Sequence, residues 1–355
     1  MDRQRLEFLA RYMETSCPSG FEEEASRVWR DEAAQFADRT WVDTHGNTFA
    51  VVNEGGAPRV MLAGHADEIG LMITYIDKKG FLSFTGIGGW DPQILPGQRV
   101  WIRSEDGPVL GVVGRKAVHL LSEKERKAVV KLEDLWIDIG AVDWEEASSS
   151  VSIGAPAVLD YGFAELRNEI VAARAFDDRI GAFCVLEAGR LLASMKPTAA
   201  VYVVATVQEE IGLRGAKTSA FGIDPQIGIA VDVGQATDVP EMSKDQKRVG
   251  EAALGGGPMI ARGPNINSPL FRLLVDTATD QGISYQIEPV PSGTGTDANA
   301  MQLTRSGVAT GLVCIPNRYM HSPCELIHLG DVEDAVRLIA HTVAGIDETT
   351  SFVPS

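Results

Sequence analysis

The sequence predicts an α/β domain interrupted by a β-rich insert. Helix-like and strand-like periods alternate at both ends of the chain, and the strands there are continuous apolar runs of the kind buried in parallel sheets. Between them, from about Ile69 to Tyr161, short strand-like runs are separated by turn pairs, with little helical periodicity. At 355 residues the chain exceeds the usual size of a single core, so two domains fit its length.

Taken in order, Leu6, Leu9, Ala10 and Met13 fall on one face of a first helix. After the Pro18-Ser19-Gly20 break, Ser19 and Glu22 have the spacing of a capping box for a second helix. Trp41 to Asp43, Thr48 to Asn53 and Val60 to Ala63 read as strands. The last of these runs into Gly64-His65-Ala66-Asp67. Within the insert, Leu71 to Ile76, Arg99 to Arg103 and Val109 to Val113 are strand-like, and the charged segment Ser122 to Ala128 is expected as a mobile loop. Beyond Asn168, Ile180 to Leu192 is helical in spacing. Ala200 to Val207, Ile227 to Val231 and Val308 to Ile315 are strands, and Pro269 to Gln281 and Val332 to Ile346 are helices.

Composition narrows the function classes. Hydrophobic residues make up 45% and charged residues 23%, ordinary values for a globular protein with ample material for a core. Acidic side chains outnumber basic ones 49 to 32, a net charge of -17 that argues against nucleic acid or an anionic membrane as partner. The N-terminus lacks the apolar stretch of a secretion signal, and no run is long enough to span a bilayer. Cys17, Cys184, Cys314 and Cys324 are scattered without metal spacing and are expected as reduced thiols, placing the chain in the cytoplasm.

Chemistry gathers where apolar strands end. His65 closes one such strand, the position at which α/β sheets carry active-site groups. Asp67, two residues on, shares its face in an extended chain and is placed to orient the imidazole, although a turn hydrogen bond explains an isolated histidine equally well. Asp177 and Asp178 stand where a helix opens; one carboxylate is accounted for as an N-cap, and the pair leaves room for a bridging metal ligand. Glu209 and Glu210 follow the strand Val201 to Val207. Adjacent carboxylates leaving a core strand repel each other and lose hydration unless a cation compensates them. A division of labour suits them, one binding metal and the other handling protons. Asp232 ends the run Ile227 to Val231, and His321 lies shortly after the strand ending at Ile315.

Each position alone has an ordinary structural explanation. Together they deliver imidazoles and carboxylates to equivalent places in one domain, a nitrogen and oxygen donor set suited to zinc, cobalt or manganese. Other features carry less. Gly255-Gly256-Gly257 lacks the lysine of a phosphate loop and is expected as a turn near the cleft. Ser292 to Asp297 precedes a helix that Thr296 or Asp297 is placed to cap. His45, His119, His328 and His341 have no acidic context, and no nucleophilic-serine elbow stands out.

With these residues in place, the sequence resembles the M42 family of metallo-aminopeptidases. The motifs that carry the resemblance are Gly64-His65-Ala66-Asp67-Glu68-Ile69-Gly70, Ala175 to Gly181 around Asp177-Asp178, Gln208-Glu209-Glu210-Ile211-Gly212, Val231-Asp232 and Arg318-Tyr319-Met320-His321-Ser322-Pro323. They occur in the family's order, extend over most of the chain and show no departure at a ligand position.

The resemblance implies a mixed-sheet, zinc-peptidase-like catalytic domain of residues 1–68 plus 165–355, with residues 69–164 as an inserted small β-barrel-like domain used in assembly. It further implies two divalent ions per subunit, bridged by Asp177. His65 and Asp232 complete one ion's protein ligands, and Glu210 and His321 the other's. Glu209 is then the general base, Asp67 supports His65, and a cis peptide bond joins Asp177 to Asp178. Peptides are the implied substrates, and self-association, up to a tetrahedral dodecamer, the implied state. A metal-dependent deacylase would share the site and differ in its cleft. A glucanase would work with two carboxylates and no metal. A non-catalytic relative would have lost ligands that this chain keeps.

Overall fold

The computed structural model describes residues 1–354 and has the predicted fold class, a mixed sheet with helices on both faces and a closed antiparallel barrel. The chain opens with α1 (Arg3–Glu14) and α2 (Glu23–Ala33). The apolar face of α1 buries Phe8, Leu9, Tyr12 and Met13, and Asp2 caps it by accepting from the Arg5 N–H at 2.9 Å. The expected capping box of α2 does not form. Glu22 instead accepts the Gly20 and Gln208 N–H groups at 2.7 and 3.0 Å, and the Ser19 hydroxyl donates to Asp67. Partners distant in sequence outcompete the local pair.

The strands β1 (Arg39–Val42), β2 (Thr48–Val52) and β3 (Arg59–His65) begin the main sheet. The chain then forms the barrel from β4 (Gly70–Ile76), β5 (Leu82–Ile87), β6 (Arg99–Ile102), β7 (Val109–Gly114), β8 (Trp136–Asp138) and β9 (Pro156–Leu159), closed in the order β4-β5-β8-β7-β6-β9. Leu71, Ile73, Leu82, Val100, Ile102 and Ile137 fill its interior, with side chains alternating inward along each strand. The segment expected as a loop is the short helix α3 (Glu123–Lys127), because Ser122 and Glu125 make a complete capping box there. A second unforeseen helix, α4 (Trp144–Ser150), is capped by Asp143.

The rest of the chain runs through β10 (Ala164–Glu165), β11 (Ile170–Ala173), α5 (Phe176–Met195), β12 (Ala200–Thr206), α6 (Arg214–Ile223), β13 (Ile227–Gln235) and α7 (Ser243–Val249). It ends with β14 (Met259–Arg262), α8 (Ser268–Asp280), β15 (Gln286–Pro289), α9 (Asp297–Met301), β16 (Ala309–Asn317), β17 (Glu325–His328) and α10 (Leu329–Ala344). The main sheet has the order β1-β2-β12-β3-β13-β16-β14-β15, and β10-β11-β17 form a small second sheet.

The four central strands β12, β3, β13 and β16 are mutually parallel, so their carboxyl ends emerge along one edge. Alternation sorts their side chains. Val60 and Leu62 of β3 join the core beneath α1, α2, α5, α8 and α10, whereas Met61 and Ala63 face α6 and α9. Burial on both faces explains why these strands read as unbroken apolar runs.

Close approach of α5 to β3 sets the site's depth. A Cβ at Gly64 would lie 2.3 Å from the Gly181 carbonyl carbon, so only glycine fits where strand meets helix. Gly64→Ala should therefore destabilise the fold by about 1–3 kcal/mol, read as a lowered urea midpoint at unchanged slope.

Candidate metal centre

β3 delivers His65 in register with Thr206 of β12, and the chain leaving β12 turns at once into Glu209 and Glu210. That turn requires Gln208 to adopt φ 56°, a left-handed conformation uncommon for a side-chain-bearing residue. Asp232 lies within β13, opposite Cys314 of β16; the strand runs four residues beyond the apolar segment that predicted it. Asp177 and Asp178 precede the regular part of α5, are joined by a cis peptide bond and have non-helical dihedrals. His321 follows β16 with φ 58°.

These distant stretches converge. The two Asp177 carboxylate oxygens face different imidazoles: Oδ1 lies 3.2 Å from His65 Nε2, and Oδ2 lies 3.2 Å from His321 Nε2. Glu209 Oε2 is 3.7 Å from His65 Nε2, and Glu210 Oε1 is 3.5 Å from His321 Nε2. His65, Asp177 and Glu210 each bring a donor atom within 4.8 Å of the others, and so do His65, Asp178 and Asp232.

The surrounding hydrogen bonds fix these groups. The Asp67 backbone carbonyl lies 3.0 Å from His65 Nδ1, closer than its carboxylate at 3.5 Å. The Asp67 carboxylate is spent mainly on the Glu209 and Glu210 N–H groups, at 3.0 and 3.1 Å. Asp67 therefore orients the paired glutamates as well as the imidazole. Asp178 accepts the His65 N–H at 3.1 Å through one oxygen and the Gly181 N–H at 3.0 Å through the other, the second bond capping α5.

Two positioning groups escape sequence reading. Glu325, buried at the start of β17, accepts the Asp177 N–H at 2.9 Å and the His321 N–H at 3.0 Å. The Gly89 carbonyl, contributed by the barrel, lies 2.9 Å from His321 Nδ1. Only the short spacing from His321 to Glu325 hinted at the first, and nothing in the sequence hinted at the second.

The electrostatics favour a cation. Burial pushes the Glu209 carboxyl up to about 10; His65 opposes the shift, and Asp232, Asp297 and Asp67 add to it. Burial also holds Glu210 and Asp232 well above the carboxylate range, reinforced by Asp177. Asp177 goes the other way: burial is outweighed by hydrogen bonds from His321 and His65. Glu209 Oε1 and Glu210 Oε1 are buried and have no hydrogen-bond partner among the described residues. Unpaired buried carboxylate oxygens beside two imidazoles fit divalent metal chemistry.

A cleft of about 500 Å³ opens onto the centre, lined by His65, Asp177, Glu209, Glu210, Asp232 and His321, and beyond them by Glu288 and the Thr294–Thr296 turn. The glycine run 255–257 is not part of that lining. It is a turn whose Gly255 and Gly257 N–H groups donate to Asp331 at 2.8 Å.

The family model for M42 glutamyl aminopeptidase matches residues 46–338, most of the chain and every residue of the centre. The chain belongs to the M42 family. A lysyl aminopeptidase of Pyrococcus furiosus is 40% identical over 335 residues, covering 94% of each chain. The solved TET aminopeptidase of a marine sediment Thaumarchaeota archaeon superposes with a TM-score of 0.92 at 36% identity, covering 98% of both chains. The Pyrococcus horikoshii TET1 peptidase, which can assemble into a tetrahedron or a large octahedral shell, gives 0.86 at 34% identity over 96% of this chain and 100% of its own. The M42 chain is accordingly an aminopeptidase, a hydrolase of the TET peptidase fold. Among the described residues, no helix is long and apolar enough to cross a membrane.

Proposed function

We propose that this M42 enzyme is a two-metal aminopeptidase that removes N-terminal residues from peptides, with Glu209 as general base. The observation that carries the proposal is the Asp177 carboxylate suspended between two imidazoles, one on each oxygen. His65, Asp232 and Asp177 would hold one divalent ion, and Glu210, His321 and Asp177 the other. Asp177 is preferred to Asp178 as the bridge because both Asp178 oxygens already accept backbone N–H groups.

Two ions of the zinc, cobalt or manganese kind would acidify an attacking water and polarise the scissile carbonyl. Glu209 sits beside the His65 imidazole with one oxygen free of partners, so it would take the water's proton and return it to the leaving amine. Asp67 fixes the backbone of both glutamates, and Glu325 holds Asp177 and His321 from behind.

The domain division expected from the sequence, residues 1–68 plus 165–355 around an insert of residues 69–164, completes the proposal, as does a cytoplasmic setting. We assign assembly to the barrel, whose strands β6 and β7 expose Trp101, Leu110 and Val112 and whose connecting segments expose Leu120 and Val142. For this chain we assign a tetrahedral dodecamer, supported by the likeness to the TET1 peptidase, which forms a dodecamer and can assemble into a tetrahedron or an octahedral shell.

Metal analysis by mass spectrometry, paired with aminoacyl chromogenic substrates, tests the chemistry. The expected result is two ions per chain and activity that a chelator abolishes and Zn, Co or Mn restores. Full turnover by metal-free protein would sink the two-metal reading.

A further inference from the structure

We infer that Glu288 is a specificity-determining residue of the cleft, selecting substrates whose first residue carries a lysine or arginine side chain. The inference rests on the aminopeptidase reading above and supplies the class of N-terminal residue that reading leaves open.

Glu288 lies on β15, where Gln286 and Glu288 face the protein and Ile287 and Pro289 are exposed. Its side chain lines the same cleft as His65, Asp177 and Glu209, yet it belongs to neither group of converging metal donors. Glu288 Oε2 is buried without a hydrogen-bond partner, and among the described residues Glu288 forms no salt bridge. The buried Cys314 thiol, a weak donor, lies within its reach. Among the described residues, no lysine or arginine lines the cleft; its charged lining consists of carboxylates and the two histidines.

A carboxylate withdrawn from water without a partner is destabilised, and burial accordingly raises the Glu288 carboxyl from its ordinary value. An ammonium or guanidinium entering the cleft supplies the missing donors and charge. A glutamate side chain meets repulsion from Glu288 and the other lining acids, and a neutral side chain leaves the carboxylate unpaired.

The test uses the full-length, metal-loaded protein and p-nitroanilides of Lys, Arg, norleucine, Leu and Glu. Norleucine has an unbranched side chain like that of lysine without the ammonium. The wild-type enzyme should favour Lys and Arg over norleucine by about 10- to 100-fold in kcat/KM. Glu288→Gln should bring the Lys-to-norleucine ratio to near unity, and Glu288→Lys should shift preference toward the Glu substrate. A wild-type enzyme indifferent to the ammonium, or a ratio unchanged in Glu288→Gln, overturns the inference. The wild-type ratio is decisive even where a variant misfolds. Turnover with some other preference removes this inference alone, whereas inertness toward every aminoacyl substrate removes it together with the aminopeptidase reading.

Discussion

Replacing Glu209 with glutamine should lower kcat by about 10³- to 10⁴-fold while both ions stay bound, a loss of roughly 4–5.5 kcal/mol of transition-state stabilisation. The substitution is nearly isosteric and leaves the backbone N–H that Asp67 accepts untouched, so the turn after β12 keeps its shape. What disappears is the proton acceptor. Burial and neighbouring acids push this carboxyl up to about 10, and nearby cations would bring it down toward a working range. Stopped assays with parallel metal analysis check the result. Activity within tenfold of wild type would show that another group moves the proton.

Asp177→Asn should be more damaging still. The amide keeps the shape of the carboxylate but loses its charge and one acceptor oxygen, so it cannot serve both imidazoles as the aspartate does at 3.2 Å on each side. Bound metal should fall from two ions to one or none, and kcat/KM by at least about three orders of magnitude, several kcal/mol. Asp178→Asn is the informative contrast. Its oxygens serve the His65 and Gly181 N–H groups, so the expected loss lies chiefly in stability. If Asp178→Asn strips the ions and Asp177→Asn does not, the assigned bridge is wrong.

How far the sequence reveals this site depends on the kind of signal each residue gives. His65 and the Glu209–Glu210 pair stand at the ends of strands buried on both faces, where an apolar run makes a polar terminus conspicuous. Asp232 was legible for the same reason, although β13 continues to Gln235 because its polar end pairs with β16. His321 has no such flag; its place follows from a backbone turn with positive φ at both Tyr319 and His321. Gly89 was invisible, and Glu325 was hinted at only by its spacing from His321, because each acts through a contact made only after folding. The failed capping box of α2 has the same cause, since Ser19 and Glu22 are claimed by Asp67 and Gln208. Conversely, the loop expected over Ser122 to Ala128 became α3 because local capping chemistry met no distant competitor.

The Gly89 carbonyl behind His321 ties the fate of the two halves of the molecule together. A chimera that grafts a foreign barrel between β3 and β11 would inherit new packing contacts yet lose the tether of one imidazole. Such a graft succeeds only if the Gly88–Trp90 bend travels with its host. Drift on the outer wall of the barrel is thereby uncoupled from chemistry, whereas drift at that bend is not.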